Sequence, residues 1–494
     1  MRSESTTRRL AALLLALPLA ACGEEKTAAP LPPPTLRAVV EETRAGIAAD
    51  APAEPEPLSQ EALDRLPDLL EFVATSKGDL AKAGRQDLLG LGEGVIAKLH
   101  DVALDQAETD AHRSAALATL GDGPSGRAAA ALNDVLTQGR EPWLRSTAAW
   151  YLGEIEDESW VPDAVLHLKY EVDGEVVQYL AQAIDKRGFV AGLPALLVLS
   201  TTAADEEQRG AAYALAQKMA DERGYATPEE LDRAWRAGEV EPPPTTDGLR
   251  ASIWHWISRL AEWQLRGVDD ARYVLVCMGR SAAPMLGEAL YDTDPYVRLH
   301  TAQVLERMGG RGRPAAKALV DHLRTPDVAP QAAVALGSVG GPSAGPALEA
   351  ALAPDQRPEL RLGAARGLAL LADPATLETL RSEFTRERDA WPELAQAVAE
   401  ARLACGDAGD AVTFATACLD RDGLDPASSG LALEAWVARR AELEEPGFAD
   451  LLEAWNAIGA KRGPQFDESA MWKERKELLG SSAAVRSAKP LGAP

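Results

Sequence analysis

Six histidines, four cysteines and a recurring arginine are the residues of this 494-residue chain with the most chemical potential. A histidine titrates near neutrality, so His100, His112, His167, His255, His300 and His322 could each serve as a general base or a metal ligand. None forms HExxH or pairs with a cysteine at ligand spacing, so no zinc or haem motif is present. His300 is the most suggestive, two residues after Arg298 in "DPYVRLHTAQVLERMGG" (294–310). Related stretches carry Thr147 or Gly363 in that slot, which makes His300 a helix-surface or seam residue. Serines and aspartates show no nucleophile elbow. "LGLGEG" (89–94) mimics a dinucleotide fingerprint, but no strand precedes it and its glycines sit inside a helical pattern. "GSVGGPSAGP" (337–346) reads as a turn between two helices, its glycines suited to C-caps. No catalytic residue, metal site or cofactor is expected.

The elements that would carry such residues are helices. Aromatic content is only 5%, alanine and leucine dominate the middle of the chain, and alternating Val/Ile runs between turn dipeptides are nearly absent. A unit repeats along this helical stretch. Arg113, Arg145, Arg298 and Arg361 are each followed seven residues later by a leucine (Leu120, Leu152, Leu305 and Leu368), with small residues between. Weaker copies without the arginine begin at Val177, Gln208, Ala271, Ala329 and Gln396. Successive anchors lie 32, 32, 31, 63, 27, 31, 32 and 35 residues apart, the 63 being about two periods. Between anchors stands a second apolar run, often opened by proline, as in "VPDAVLHL" and "APMLGEAL". Proline suits a first helical turn, where its missing N–H has no intrahelical partner. Each unit is therefore two short antiparallel helices that cannot bury their apolar faces alone. The recurring arginines read as structural, donating to loop carbonyls between helices.

"DPYVRLHTAQVLERMG" followed by "RPAAKALVDHL" resembles the short HEAT repeat of the type found in phycobilisome lyases. The resemblance spans roughly residues 85–420 and implies an all-α fold, an α-solenoid of roughly nine to eleven HEAT-like helix pairs. It implies little about activity, because this superhelix hosts many roles.

The pattern breaks near the middle, at residues 222–250. "TPEE" there signals a helix start, with Thr227 as cap, Pro228 in the first turn and Glu230 completing a capping box. Pro242 to Pro244 end that segment. In the following "ASIWHWISRLAEWQL", Ile253, Trp256, Leu260 and Trp263 share one helical face, and Trp254, Ile257, Ala261 and Leu265 the other. A helix apolar on both sides is either buried on both or docked by something on one. Trp235, Trp254, Trp256 and Trp263 are therefore the candidate partner-binding residues, with packing of the irregular repeat as the competing reading.

The N-terminus is separate from the array. Arg2, Arg8 and Arg9 precede the apolar run "LAALLLALPLAA" and Cys22, the layout of a secretory signal too short to span a bilayer. "LAAC" (19–22) resembles the lipobox of bacterial lipoproteins, which implies cleavage before Cys22 and lipid attachment to its sulfur. Gly23 after the cysteine favours the periplasmic face of the outer membrane, by resemblance to the enterobacterial sorting rule; the cell surface and the inner membrane are the alternatives. Removing residues 1–21 takes away three arginines and one glutamate, so the net charge of −25 becomes −27. So acidic an exported chain repels phosphate backbones, which excludes a nucleic-acid partner. Cys277, Cys405 and Cys418 remain, an odd number; the last two could pair as a disulfide or simply pack as small buried residues.

The expected organisation is a signal peptide (1–21), a lipidated Pro/Ala/Glu-rich tether (22–58), an N-terminal array (59–221), the insertion (222–250), a C-terminal array (251–460) and a polar tail (461–494). The expected function is a membrane-anchored, extracytoplasmic scaffold that binds protein partners and is not itself an enzyme. The alternative is a lyase-like or ligand-binding protein that uses the concave surface.

Overall fold

The computed structural model describes residues 56–407, apart from 124–125, 263 and 389. The signal segment, Cys22, Trp263, Cys418, most of the tether and the tail lie outside the described residues. Among the described residues there are twenty-one α-helices and no strand. The N-terminal helices are α1 (Gln60–Thr75), α2 (Asp79–Leu89), α3 (Val95–Leu104), α4 (Asp110–Gly121), α5 (Gly126–Gln138), α6 (Pro142–Leu152) and α7 (Val161–Tyr170). Next come α8 (Gly174–Lys186), α9 (Leu193–Thr202), α10 (Glu206–Glu222), α11 (Pro228–Arg236) and α12 (Asp247–Ser258). The remainder are α13 (Leu265–Met278), α14 (Ala283–Ala289), α15 (Pro295–Met308), α16 (Ala316–His322), α17 (Ala329–Val339), α18 (Ala344–Leu352), α19 (Pro358–Leu371), α20 (Leu377–Glu387) and α21 (Pro392–Ala404).

The repeat is visible at the helix starts. α4, α6, α8 and α10 begin after the caps Thr109, Glu141, Asp173 and Asp205, each 32 residues after the last. The Thr109, Asp173 and Asp205 side chains accept first-turn N–H groups, and α6 instead has proline at its first position. The small residues and the leucine between and after the arginines fill the seam: Ala116, Ala149, Ala302 and Ala365, with Leu120, Leu152, Leu305 and Leu368, are all fully buried. Two anchors move. In the fourth copy the arginine position is held by Arg209, not Gln208, because the cap of α10 is Asp205 and the anchor is the fourth residue after the cap. In α13 the anchor is Val268, not Ala271, as judged from Gly279, which ends α13 as Gly309 ends α15, both with positive φ. α19 ends on Ala372 at φ 51° where those helices use glycine, a left-handed conformation that costs a β-carbon residue about 1–2 kcal/mol.

The helices form two layers. One contains α3, α5, α7, α12, α14, α16 and α18, and α7 packs directly on α12 and α13. In the other, α4, α6, α8 and α10 pack in series, as do α13, α15, α17, α19 and α21. The irregularity is therefore a fork and not a simple interruption. α9 and α10 with the start of α11 leave the line and build a small core of their own around Leu193, Leu196, Ala216, Met219 and Leu231. Everything else shares one continuous core. α11 has the expected cap: the Thr227 hydroxyl accepts from Glu230 N–H (3.2 Å), while the Glu230 carboxylate reaches back to Ala226 N–H (3.1 Å).

Candidate site at the junction of the two arrays

The recurring arginines use nearly all their donors inside the array. Arg145 donates to Gly139 and Arg140 carbonyls (both 3.1 Å) and clamps Glu171 through Nε (2.8 Å) and Nη2 (2.9 Å). Arg113 repeats this with the Ala103 carbonyl (3.1 Å) and Glu141 (2.9 Å), and Arg298 with the Thr293 carbonyl (3.1 Å) and Asp327. Arg361 donates to the Leu352 carbonyl (3.0 Å) and holds both Glu383 (3.2 Å) and Glu387 (2.7 Å). Each arginine thus ties its own inter-helix loop to an acid further along the array, which is a mechanical role and leaves little for chemistry. Burial alone would raise the Glu171 carboxyl, but Arg145, the Asp173 N–H and His167 hold it at about 2, against an ordinary 4.5. A folded value below the unfolded one means the stabilisation is complete above about pH 4.5 and is lost as pH falls toward 2. Glu171→Gln is therefore expected to remove roughly 3 kcal/mol of acid dependence from urea-unfolding stability over that window, with wild type and variant converging at the acid end.

Two of the histidines are tied into the array. His300 Nδ1 lies 2.8 Å from the Leu260 carbonyl and ties α15 to the end of α12, and burial lowers its pKa. His112 sits between Glu108 and Glu71, both at 2.8 Å. Among the described residues no group of three or more His, Cys, Asp or Glu is placed to hold a metal ion. The glycines of "LGLGEG" fall in the turn between α2 and α3, not inside a helix. Only residues 340–343 of "GSVGGPSAGP" form the turn between α17 and α18, with Gly340 as the C-cap and Gly340 and Gly341 at positive φ; Gly337 and Gly345 lie inside the two helices.

The tryptophan cluster is corrected by its burial. Trp254 and Trp256 are 3% and 2% exposed, so neither offers a surface for a partner. α12 is apolar on both faces because it is covered on both, by α7 on one side and α14 on another. Trp256 Nε1 donates to Asp163 of α7 (2.9 Å), and the Arg259 guanidinium lies 4.6 Å from its ring, so Trp256 is part of the splice between the arrays. Trp263 lies outside the described residues. Trp235 differs, being half-buried at the end of α11 with the Arg311 guanidinium 4.1 Å from its ring.

Trp235 and Arg311 belong to a cleft where the side branch returns to the main array. Its space, open mouth included, is about 350 Å³. Gly238 and Gly310 meet there so closely that a β-carbon on Gly238 would stand 2.5 Å from the Gly310 carbonyl oxygen. Its lining combines apolar Phe189, Trp235, Val240 and Pro243 with Cys277, Arg280, Ser281 and Arg311. Ser281 and Arg311 each stand two residues beyond a left-handed glycine, Gly279 and Gly309, so adjacent repeats bring them together. That correspondence is readable in the sequence only from the glycines, because both residues lie in short 3₁₀ segments between helices, outside the helical periodicity. Burial raises the Cys277 thiol, which keeps it protonated and a poor nucleophile at neutral pH. Burial also pulls Arg311 down to about 10, still a cation at neutral pH.

The family model for HEAT repeats matches residues 283–357, from α14 through the segment after α18. Human deoxyhypusine hydroxylase in complex with glycerol is similar at 18% identity and TM-score 0.23, over 66% of this chain and 98% of that one. Kap121p is similar at 13% identity and TM-score 0.29, over 82% of this chain and 47% of its own, so the chain spans about half of that protein. Yeast importin-beta, Kap95p, is similar at 13% identity and TM-score 0.23, over 86% of this chain and 66% of its own. No curated protein matches the chain in sequence.

Proposed function

Taking the HEAT repeats at residues 283–357 as the premise, we propose that the chain is a scaffold that binds protein partners while anchored to a membrane by lipid on Cys22. The observation that carries the binding half is what the array leaves outside. Its recurring arginines are tied to loops and acids, yet among the described residues five of the nine exposed large apolar side chains fall between residues 150 and 213. These are Trp150, Tyr170, Val172, Val198 and Tyr213, with Val172 93% exposed at the turn between α7 and α8. Exposed aromatic and aliphatic side chains on a stiff helical array are a common basis for protein recognition. The anchor half is supported by the "LAAC" sequence behind a basic and apolar leader. Among the described residues no helix is long and apolar enough to cross a membrane. Export to the periplasmic side, with the outer membrane as destination, is part of the same proposal.

The anchor is tested by expressing the full chain in a bacterial host with labelled palmitate. Mass spectrometry is expected to find a mature N-terminus at lipidated Cys22, and Cys22→Ala is expected to shift the chain from the membrane to the soluble fraction. An unlipidated mature chain, or a Cys22→Ala chain that stays membrane-bound, contradicts it.

A further inference from the structure

Four arginines among the described residues are less than one-tenth exposed: Arg113, Arg311, Arg361 and Arg402. Three of them hold a carboxylate, Arg113 with Glu141, Arg361 with Glu383 and Glu387, and Arg402 with Asp407. Arg311 holds none. Its Nε donates to the Met308 carbonyl (3.2 Å) and its Nη1 to the Val276 carbonyl (2.9 Å), at the ends of α15 and α13. Those two helix C-termini, each worth about half a negative charge, make the buried cation tolerable. They leave Nη2 without a hydrogen-bond partner among the described residues.

Ser281 lines the same cleft, 3% exposed, with its hydroxyl unpartnered. A buried hydroxyl without a hydrogen bond is destabilising, and a bound acceptor would relieve it. Arg280 completes the set. Its Nη1 donates to the Gly238 carbonyl (2.9 Å) and lies 2.8 Å from the Glu241 carboxylate as an ion pair, so an acid already rests at this mouth. Glu241 is itself 76% exposed, and a pair so open to water is held weakly.

We infer that this cleft binds a carboxylate, with Arg311 Nη2, Ser281 Oγ and Arg280 as donors and with Trp235 and Pro243 against the apolar group that bears it. A monoanion fits better than a phosphate, because the acidic chain repels a second negative charge. The site stands independently of the scaffold reading, and either a small free acid or the C-terminus of a peptide supplies this chemistry.

The test titrates the full chain by calorimetry with acetate, with N-acetyl-dialanine and with N-acetyl-dialanine amide. Binding of N-acetyl-dialanine and not of its amide is expected, and the acetate arm separates a site for small acids from one for chain ends. Arg311→Met is expected to weaken binding at least tenfold. Glu241→Gln, which removes the competing acid, is expected to tighten it severalfold. Should Arg311→Met fail to fold, Ser281→Ala serves as the second variant, with binding weakened and the melting temperature kept. Absence of heat with both acids, equal binding of acid and amide, or tightening that fails in Glu241→Gln overturns the inference.

Discussion

Arg361→Ala is expected to lower stability by about 3–5 kcal/mol, the usual result of breaking a buried ion pair from one side. The guanidinium is 8% exposed and bridges α19 to α20 through two carboxylates that are themselves 8% and 11% exposed. Without it Glu383 and Glu387 are left facing each other in a dry seam with only Arg386 to balance them. The Arg361 guanidinium holds the Glu387 carboxyl below its ordinary range, so its loss would let that group take up a proton in acid sooner. A solenoid is stabilised repeat by repeat, so hydrogen exchange should rise first in α19 to α21 while α3 to α7 stay protected. The triple change Arg361→Met, Glu383→Gln, Glu387→Gln should recover most of the loss, because it removes the stranded charges. If Arg361→Ala unfolds at the wild-type urea midpoint, the arginine is not a tie between repeats.

Gly337→Ala is expected to cost about 3 kcal/mol or more through overpacking. A β-carbon there would lie 1.9 Å from the Gly367 carbonyl oxygen, which is backbone and cannot swing aside. The crossing of α17 and α19 is close along its length, since β-carbons on Gly367 and Gly363 would meet the Ala333 and Pro330 carbonyls at 2.4 and 2.5 Å. Gly210→Ala is the control. Gly210 is inside α10 with nothing within 4 Å of its added carbon, so that change should stabilise by up to about 1 kcal/mol through helix propensity. Thermal melting of the two variants should move in opposite directions, and a common direction would mean that the α17–α19 contact is looser than described.

Much of this architecture is legible in the sequence because it is local. The seven-residue step from arginine to leucine, the paired alanines and the Thr227 cap are all properties of single helices, and the structure keeps them. The reach of the arginines to loop carbonyls is local as well, five to ten residues back. Their acid partners are not: Glu141, Glu171 and Asp327 lie 26 to 29 residues beyond the arginine, where any acidic residue looks alike. The fork is invisible for the same reason, since no pattern within α9 to α11 states that α12 will pack on α7. Trp254 and Trp256 illustrate the limit of composition. Apolarity on both faces of α12 was readable, but whether the second cover is another helix or another protein depends on the chain path.

The recurring arginines serve the array's own assembly, and we place partner binding on the exposed apolar side chains between residues 150 and 213. A photo-cross-linking residue placed at Val172 of the full chain, irradiated in intact membranes, tests this directly. Asp101, on the same array and 66% exposed at its side chain, is the comparison site. The account predicts a discrete adduct with a different protein from position 172 and none from position 101. No adduct from 172, or the same adducts from both positions, would contradict it.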